Sequence, residues 1–206
     1  MRVFLTAILG LLAPVLAQAS DLVVSVRTPQ GRPVADAVVT VPGPRAAATR
    51  FVWPYRVAQH NMQFDPFVLI VPVGALVAFP NLDSVRHHVY SFSPAHPFEL
   101  KLYGRDETRS VRFDKPGVIA LGCNIHDQMV GFIDVVETPY AAKTDAAGEA
   151  VIHGVPAGAT NVRVWHPYLR AAQNAVTTTV LAPRQGAIHV GITAPVNAPP
   201  ERRRMY

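Results

Sequence analysis

Residues 117–136 read GVIALGCNIHDQMVGFIDVV. Two runs rich in valine and isoleucine flank a short polar loop, and this pattern predicts two β-strands joined at one end of a sheet. The loop carries Cys123, His126 and Met129. A thiolate, an imidazole and a thioether are three of the four ligands of a trigonal copper site with a weak axial methionine. This stretch therefore predicts a β-protein with a copper site at the end of two strands.

The missing ligand is a second histidine, and residues 81–90, NLDSVRHHVY, supply two candidates. An apolar strand ends there in a polar loop, and the next strand begins with His87 and His88. Successive side chains of a strand point to opposite faces, so only one of the two can meet the metal. The alternation does not by itself say which one.

Other chemistries can also use a cysteine close to a histidine. Zinc accepts both ligands, but a thioether is a poor zinc ligand and structural zinc sites take four Cys or His ligands. A nucleophilic cysteine activated by histidine would leave Met129 and the upstream histidine without a role. A lone cysteine can also be a small buried hydrophobe. Copper fits the set of residues best.

The N-terminus predicts export. A charged start is followed by an apolar run over residues 3–16 and by Ala17-Gln18-Ala19, the pattern of a secretory signal with its cleavage site. We expect residues 1–19 to be a signal peptide, with the mature protein in the periplasm. The apolar run is too short for a membrane span, and none is expected later in the chain.

The charge of the chain gives little indication of a partner. The net charge of +5 includes Arg2 of the predicted signal and the arginines of residues 202–204. Without a basic stripe or interleaved aromatic residues, we expect no nucleic-acid surface. Residues 197–206 are rich in proline and arginine and are expected to be a disordered tail.

Short apolar runs and nineteen prolines predict an all-β fold with few helices. No sustained helical period occurs outside the predicted signal. The spacing of the runs is typical of a β-sandwich. Predicted strands include residues 68–71, 76–79, 88–92, 110–113, 118–121 and 130–136.

Two blocks flank this central region, and neither is long enough to form a complete core. Residues 31–39 (GRPVADAVV), 144–148 (TDAAG) and 155–164 (VPAGATNVRV) resemble the two ends of one carboxypeptidase-regulatory-like, transthyretin-type β-sandwich. We therefore predict a smaller, discontinuous sandwich over residues 20–45 and 140–196, with a copper domain over residues 46–139 inserted into it. The competing arrangement is two consecutive domains, in which residues 20–45 form the first strand of the copper domain.

The order and spacing of the candidate ligands resemble the cupredoxin family, the blue copper proteins that include amicyanin and plastocyanin. The resemblance covers about residues 60–138. The C-x-x-H-x-x-M loop is as short as that of amicyanin, and residues 81–89 resemble the family's N-x-x-x-x-P-H-N-V segment. Similar proteins are often labelled methylamine utilisation proteins. The resemblance implies a Greek-key β-sandwich that holds one type 1 copper ion.

The resemblance also implies a role for each matching residue. His87 is the first imidazole ligand, Cys123 the thiolate, His126 the second imidazole and Met129 the axial sulfur. Asn81 matches the asparagine that braces the cysteine loop by hydrogen bonds. His88 stands in place of the family's asparagine, and Arg86 in place of its proline.

These observations predict a periplasmic carrier of single electrons rather than an enzyme. The edge of His126 is expected to lie nearest to solvent and to face a redox partner, such as a c-type cytochrome or a periplasmic dehydrogenase. Two alternatives remain at this stage. One is periplasmic copper binding or delivery without a redox partner, and the other is a scaffold or binding module in which the smaller sandwich is the functional part.

Overall fold

A computed structural model describes residues 19–43 and 49–197. The predicted signal up to residue 18 and the predicted tail beyond residue 197 lie outside this range. The described residues form sixteen β-strands and one short 3-10 turn (Ala172–Asn174), which confirms the all-β prediction. Within these residues, no helix is long and apolar enough to cross a membrane. In chain order the strands are β1 (Ala19–Arg27), β2 (Val38–Thr40), β3 (Ala58–His60), β4 (Gln63–Asp65), β5 (Val68–Pro72), β6 (Ala75–Pro80), β7 (His87–Ser91), β8 (Phe98–Tyr103), β9 (Thr108–Phe113), β10 (Gly117–Cys123), β11 (Val130–Val136), β12 (Ala141–Lys143), β13 (Glu149–Pro156), β14 (Gly158–Trp165), β15 (Ala175–Ala182) and β16 (Ala187–Thr193).

The central region forms a five-stranded sheet in the order β5-β11-β10-β7-β8. Several neighbours in this sheet are not consecutive in the chain, as Greek-key connections require. The antiparallel pair β6–β9 shares one apolar cluster with this sheet, so the two layers form a β-sandwich. The cluster includes Phe79 from β6, Phe113 from β9 and Ile133 from β11, all fully buried. This is the cupredoxin-type architecture that the sequence predicts.

The predicted strands do not include β3, β4, β8, β15 or β16, and the predicted start of β7 is one residue late. Strand β7 begins at His87 rather than His88, so the first of the two histidines already belongs to the sheet. Strand β8 is absent from the predicted set because it lies at the sheet edge, where Glu99 and Lys101 make its outer face polar.

The smaller sandwich consists of two sheets, β13-β1-β16 and β12-β2-β14-β15. Strand β1 pairs with β13 and β16, and β2 pairs with β12 and β14, so strands from before and after the central region combine. Leu22, Val39, Ile152 and Val164 lie in its core. This pairing supports the inserted arrangement; the domain boundaries and the carboxypeptidase-regulatory-like assignment stay predictions.

A third apolar cluster joins the two sandwiches. Trp165 of β14 packs edge-on against Phe132 of β11, with ring centroids 5.7 Å apart. Ile70 on the edge strand β5 belongs to the same cluster, and its carbonyl accepts a hydrogen bond of 2.7 Å from the indole N–H of Trp53. A side chain thereby satisfies one backbone acceptor of this edge strand.

We expect Trp165→Ala to lower the free energy of unfolding by about 3–5 kcal/mol, because it removes a large buried ring and leaves a cavity at the junction. Denaturant titration followed by circular dichroism measures the change. Val52→Ala is the matched control, since Val52 is fully exposed and should change stability little. A loss below about 1 kcal/mol for Trp165→Ala would contradict the packing role of this ring.

Candidate metal centre

Strand β10 delivers Cys123 to the interior of the larger sandwich. Along this strand Ile119, Leu121 and Cys123 alternate with more exposed residues, so all three face the same core. Cys123 is the last residue of the strand and is buried. The thiol therefore lies at the edge of an apolar core, directly before the loop that carries His126.

Strand β7 delivers His87 to the same point. His87 is fully buried, and its Nδ1 lies 3.8 Å from the sulfur of Cys123. His88 points away from the sulfur, and its Nε2 lies 2.8 Å from a carboxylate oxygen of Glu99 on β8. Of the two histidines, His87 is therefore the one whose side chain lies beside the sulfur.

His126 completes a triangle of donor atoms. Its Nδ1 lies 3.7 Å from the sulfur of Cys123 and 3.2 Å from Nδ1 of His87. Consider three donors spaced evenly around a metal, with bonds of about 2.0 Å to nitrogen and about 2.3 Å to sulfur. The two nitrogens are then about 3.5 Å apart, and each nitrogen is about 3.7 Å from the sulfur. The observed distances are close to these values, so the residues fit a single trigonal metal ion.

The outer nitrogen of His87 is held by a carboxylate that the sequence analysis did not single out. Nε2 of His87 lies 2.8 Å from Oδ2 of Asp83, which accepts a hydrogen bond from it, so Nδ1 is the nitrogen that would bind a metal in place of a proton. The backbone N–H groups of Asn61 and Met62 also donate to Asp83, at 2.6 and 2.9 Å. The spacing of four residues between Asp83 and His87 is the only sequence signal for this pair.

Asn81 lies in the predicted region but braces a different loop. Its side-chain N–H groups donate to the carbonyls of Val85 and Tyr103, and its Oδ1 accepts from the N–H of Asp83. These contacts hold the loop that precedes His87, rather than the cysteine loop as predicted. The cysteine loop is tied to β7 by the backbone instead, through the N–H of Asn124 and the carbonyl of His88.

Met129 ends the cysteine loop inside the protein. Its side chain is buried and belongs to the same apolar cluster as Cys123. Its backbone N–H donates to the carbonyl of His126, which closes the loop as a tight turn. The structure thus brings the methionine to the same end of the sandwich as the three donor atoms.

The surroundings of Cys123 favour its ionised form. Burial of the thiol raises its pKa, but hydrogen bonds from His87, from the backbone N–H groups of His88 and Ile125, and from His126 outweigh this effect and lower the pKa from 9.0 to about 6. Burial lowers the pKa of His87, but the Cys123 sulfur and the Asp83 carboxylate outweigh it, and the net shift is upward. The site is therefore electrostatically prepared for a thiolate ligand.

Metal-free protein should show a thiolate ultraviolet absorbance that disappears on acidification with a midpoint near pH 6, the lowered pKa of Cys123. Because the folded-state pKa lies below the unfolded value of 9.0, the stability that this group contributes is complete above that pH and is lost as the pH falls through about 6. Cys123→Ser is the control and should lack the transition. A midpoint above pH 8 would contradict the hydrogen-bonded thiolate.

Comparisons with known proteins identify similar solved structures. No family model and no curated protein matches the chain. A purple cupredoxin from Nitrosopumilus maritimus is 24% identical and covers 39% of this chain and 98% of its own, with a TM-score of 0.37. A reduced variant of amicyanin is 25% identical and covers 48% of this chain and 98% of its own, with a TM-score of 0.37. A copper-containing nitrite reductase from Thermus scotoductus is 28% identical, and the match covers 57% of this chain and 28% of the reductase chain, with a TM-score of 0.40.

The matched structures are cupredoxins or contain copper, as the residues of the loop and of β7 predict. Because all three TM-scores are below 0.5, the functional assignment below is based on the donor atoms of this chain and on the elements that hold them.

Proposed function

We propose that this chain is a periplasmic, mononuclear type 1 copper protein that carries single electrons. The observation that carries the proposal is the buried triangle of one sulfur and two imidazole nitrogens, with donor separations of 3.2–3.8 Å. His87, Cys123 and His126 would be the ligands in the plane, and Met129 the axial ligand. The periplasmic location follows from the predicted signal over residues 1–19.

The donor set favours copper over zinc. Among the described residues, the only group of three or more His, Cys, Asp or Glu side chains able to share a metal ion consists of His87, Cys123 and His126. A structural zinc site would need a fourth ligand of these types. The nearby Met129 offers a thioether, which suits copper and is a poor ligand for zinc.

The scaffold is suited to electron transfer because it restrains each donor. Bound copper would take up and release one electron by alternating between Cu(II) and Cu(I). Cys123 is fixed by its strand, and His87 is fixed by both its strand and Asp83. Donors that keep their positions in both oxidation states reduce the rearrangement that accompanies each transfer.

The exposed side of the site would face the redox partner. His126 is partly exposed, whereas His87 and Cys123 are buried. The two loops around the ligands also expose apolar side chains, namely Leu82, Val85 and Ile125, with Val130 at the start of β11. An exposed apolar surface of this kind is suited to transient docking of a redox protein, such as a c-type cytochrome or a periplasmic dehydrogenase. We expect electron exchange with that partner and no substrate turnover by this chain.

Addition of Cu(II) to the mature protein should give an intense visible thiolate-to-copper band and a narrow copper hyperfine splitting in electron paramagnetic resonance. Both signals should be absent in Cys123→Ser. A pale, tetragonal copper spectrum in the unmodified protein would contradict the electron-carrier assignment. That result would instead support a copper-binding or delivery role.

The adjacent histidines provide a matched pair of variants. We expect His87→Ala to abolish the visible band, because it removes a donor atom, and His88→Ala to retain it, because His88 contacts Glu99 instead. Visible absorption of the copper-loaded variants measures both effects. Loss of the band in His88→Ala with retention in His87→Ala would show that the ligand assignment is wrong.

Asp83→Asn should raise the reduction potential of the copper-loaded protein. The Asp83 carboxylate makes His87 a stronger donor and places negative charge near the metal, and both effects stabilise the more highly charged Cu(II) form. A charge-assisted hydrogen bond is worth about 1.5–3 kcal/mol, which sets an upper limit of about 65–130 mV for a one-electron couple. Protein-film voltammetry measures the shift, with His88→Ala as the control. A lowered potential would contradict the role given to Asp83.

A further inference from the structure

A second polar site lies at the junction of the two sandwiches, away from the donor triangle. A cavity of about 590 Å³ opens there and is lined by strands of both sandwiches. Asp134 of β11 and Val118 of β10 contribute from the larger sandwich, and Arg163 of β14 and Thr40 of β2 contribute from the smaller one. Its volume lies within the range of small-molecule sites.

Asp134 is the main reason to assign a ligand to this cavity. Its side chain is only 6% exposed, and Oδ2 has no hydrogen-bond partner among the described residues. The nearest cation is Arg163, whose Nη1 lies 4.0 Å away, too far for a hydrogen bond. Burial raises the pKa of Asp134 to about 6, and Arg163 only partly offsets the effect. A buried carboxylate without a donor is unfavourable. Oδ2 itself is out of reach of solvent, so an occupant would donate to the exposed part of the carboxylate and offset part of this penalty.

Other lining groups provide donors beside this acceptor. Oδ1 of Asn161 accepts a hydrogen bond of 2.8 Å from Oγ1 of Thr179, so the amide presents its NH₂ group, for which the described residues offer no acceptor. The guanidinium of Arg163 is partly exposed. Thr40 and Thr177 add hydroxyl-bearing side chains to the lining. Acceptor and donor groups are thus interleaved over a lining that also contains valine and proline side chains.

The pairing of Asp134 with Arg163 restricts the chemistry of the occupant. The two charges are opposite and only 4.0 Å apart, so a cation or an anion would lose at one residue about what it gains at the other. A hydroxyl group both donates and accepts, so adjacent hydroxyls can serve both residues at once.

We propose that this cavity binds a small neutral molecule with adjacent hydroxyl groups, a sugar or polyol, with Asp134 accepting from one hydroxyl and Arg163 donating to its neighbour. The site is separate from the copper centre and does not depend on the proposed electron transfer. It would give the smaller sandwich a binding role of its own.

Titration of the ¹⁵N-labelled mature chain, followed by nuclear magnetic resonance, tests this proposal. The probes are trans-1,2-cyclohexanediol, glucose and maltohexaose, with cyclohexanol as the control that lacks the second hydroxyl. We expect the diol and at least one sugar to shift the side-chain signals of Asn161 and Arg163 in a saturable way, and cyclohexanol to leave them unchanged. Glucose and maltohexaose distinguish a free sugar from a segment of a polysaccharide.

Asp134→Asn is the matched variant, because it keeps the size of the side chain and removes the acceptor charge. We expect it to weaken binding about tenfold, the effect of losing a charge-assisted hydrogen bond. Arg163→Gln provides a second variant if Asp134→Asn does not fold, which circular dichroism would reveal. No saturable shift with any hydroxylated probe, or equal affinity in the folded variants, would overturn the proposal and leave the cavity as a solvent-filled junction.

Discussion

The site depends on keeping a thiolate in an apolar core. Burial alone opposes ionisation of Cys123, so the charge persists only where donors surround the sulfur. The donors come from three places: the imidazole of His87, the loop imidazole of His126, and the backbone N–H groups of His88 on β7 and Ile125 in the cysteine loop. Strands β7 and β10 must pair in one register for these groups to converge, and Cys123 lies opposite Val89 in that register. The fold of the larger sandwich is therefore also the condition for the chemistry of its cysteine.

The two imidazoles are held in different ways, and this difference separates their roles. His87 is buried and clamped by Asp83, whose own position is fixed by the β3–β4 turn. His126 lies in a loop and is partly exposed, and its Nδ1 contacts the cysteine sulfur and Nδ1 of His87. His87 therefore fixes the position of the buried donor atoms, and the partly exposed His126 extends the site to the protein surface.

The sequence predicts those parts of the site that depend on local spacing, and fails where distant segments meet. Cys123, His126 and Met129 lie on one short turn, and the alternation of a strand limits the choice between His87 and His88, so these residues could be placed from the sequence. Asp83 could not be predicted as a partner of His87, because its orientation depends on the N–H groups of a hairpin about twenty residues upstream. The contacts of Asn81 differ from the prediction for the same reason, since Tyr103 lies on β8, a strand that is absent from the predicted set.

Strand β11 links the two halves of the molecule because both of its faces are buried. Ile133 and Val135 face the core that contains Cys123, whereas Phe132 and Val136 face the smaller sandwich. Its near-continuous apolar sequence, with one aspartate, follows from this double burial. Asp134 lies on the face toward the smaller sandwich. Its Oδ2 has no hydrogen-bond donor among the described residues, and Nη1 of Arg163 lies 4.0 Å away. One face of β11 thus packs in the core that holds Cys123, and the other face packs toward the smaller sandwich and lines the polar cavity. Because the smaller sandwich covers the second face, it helps to hold β11 in place.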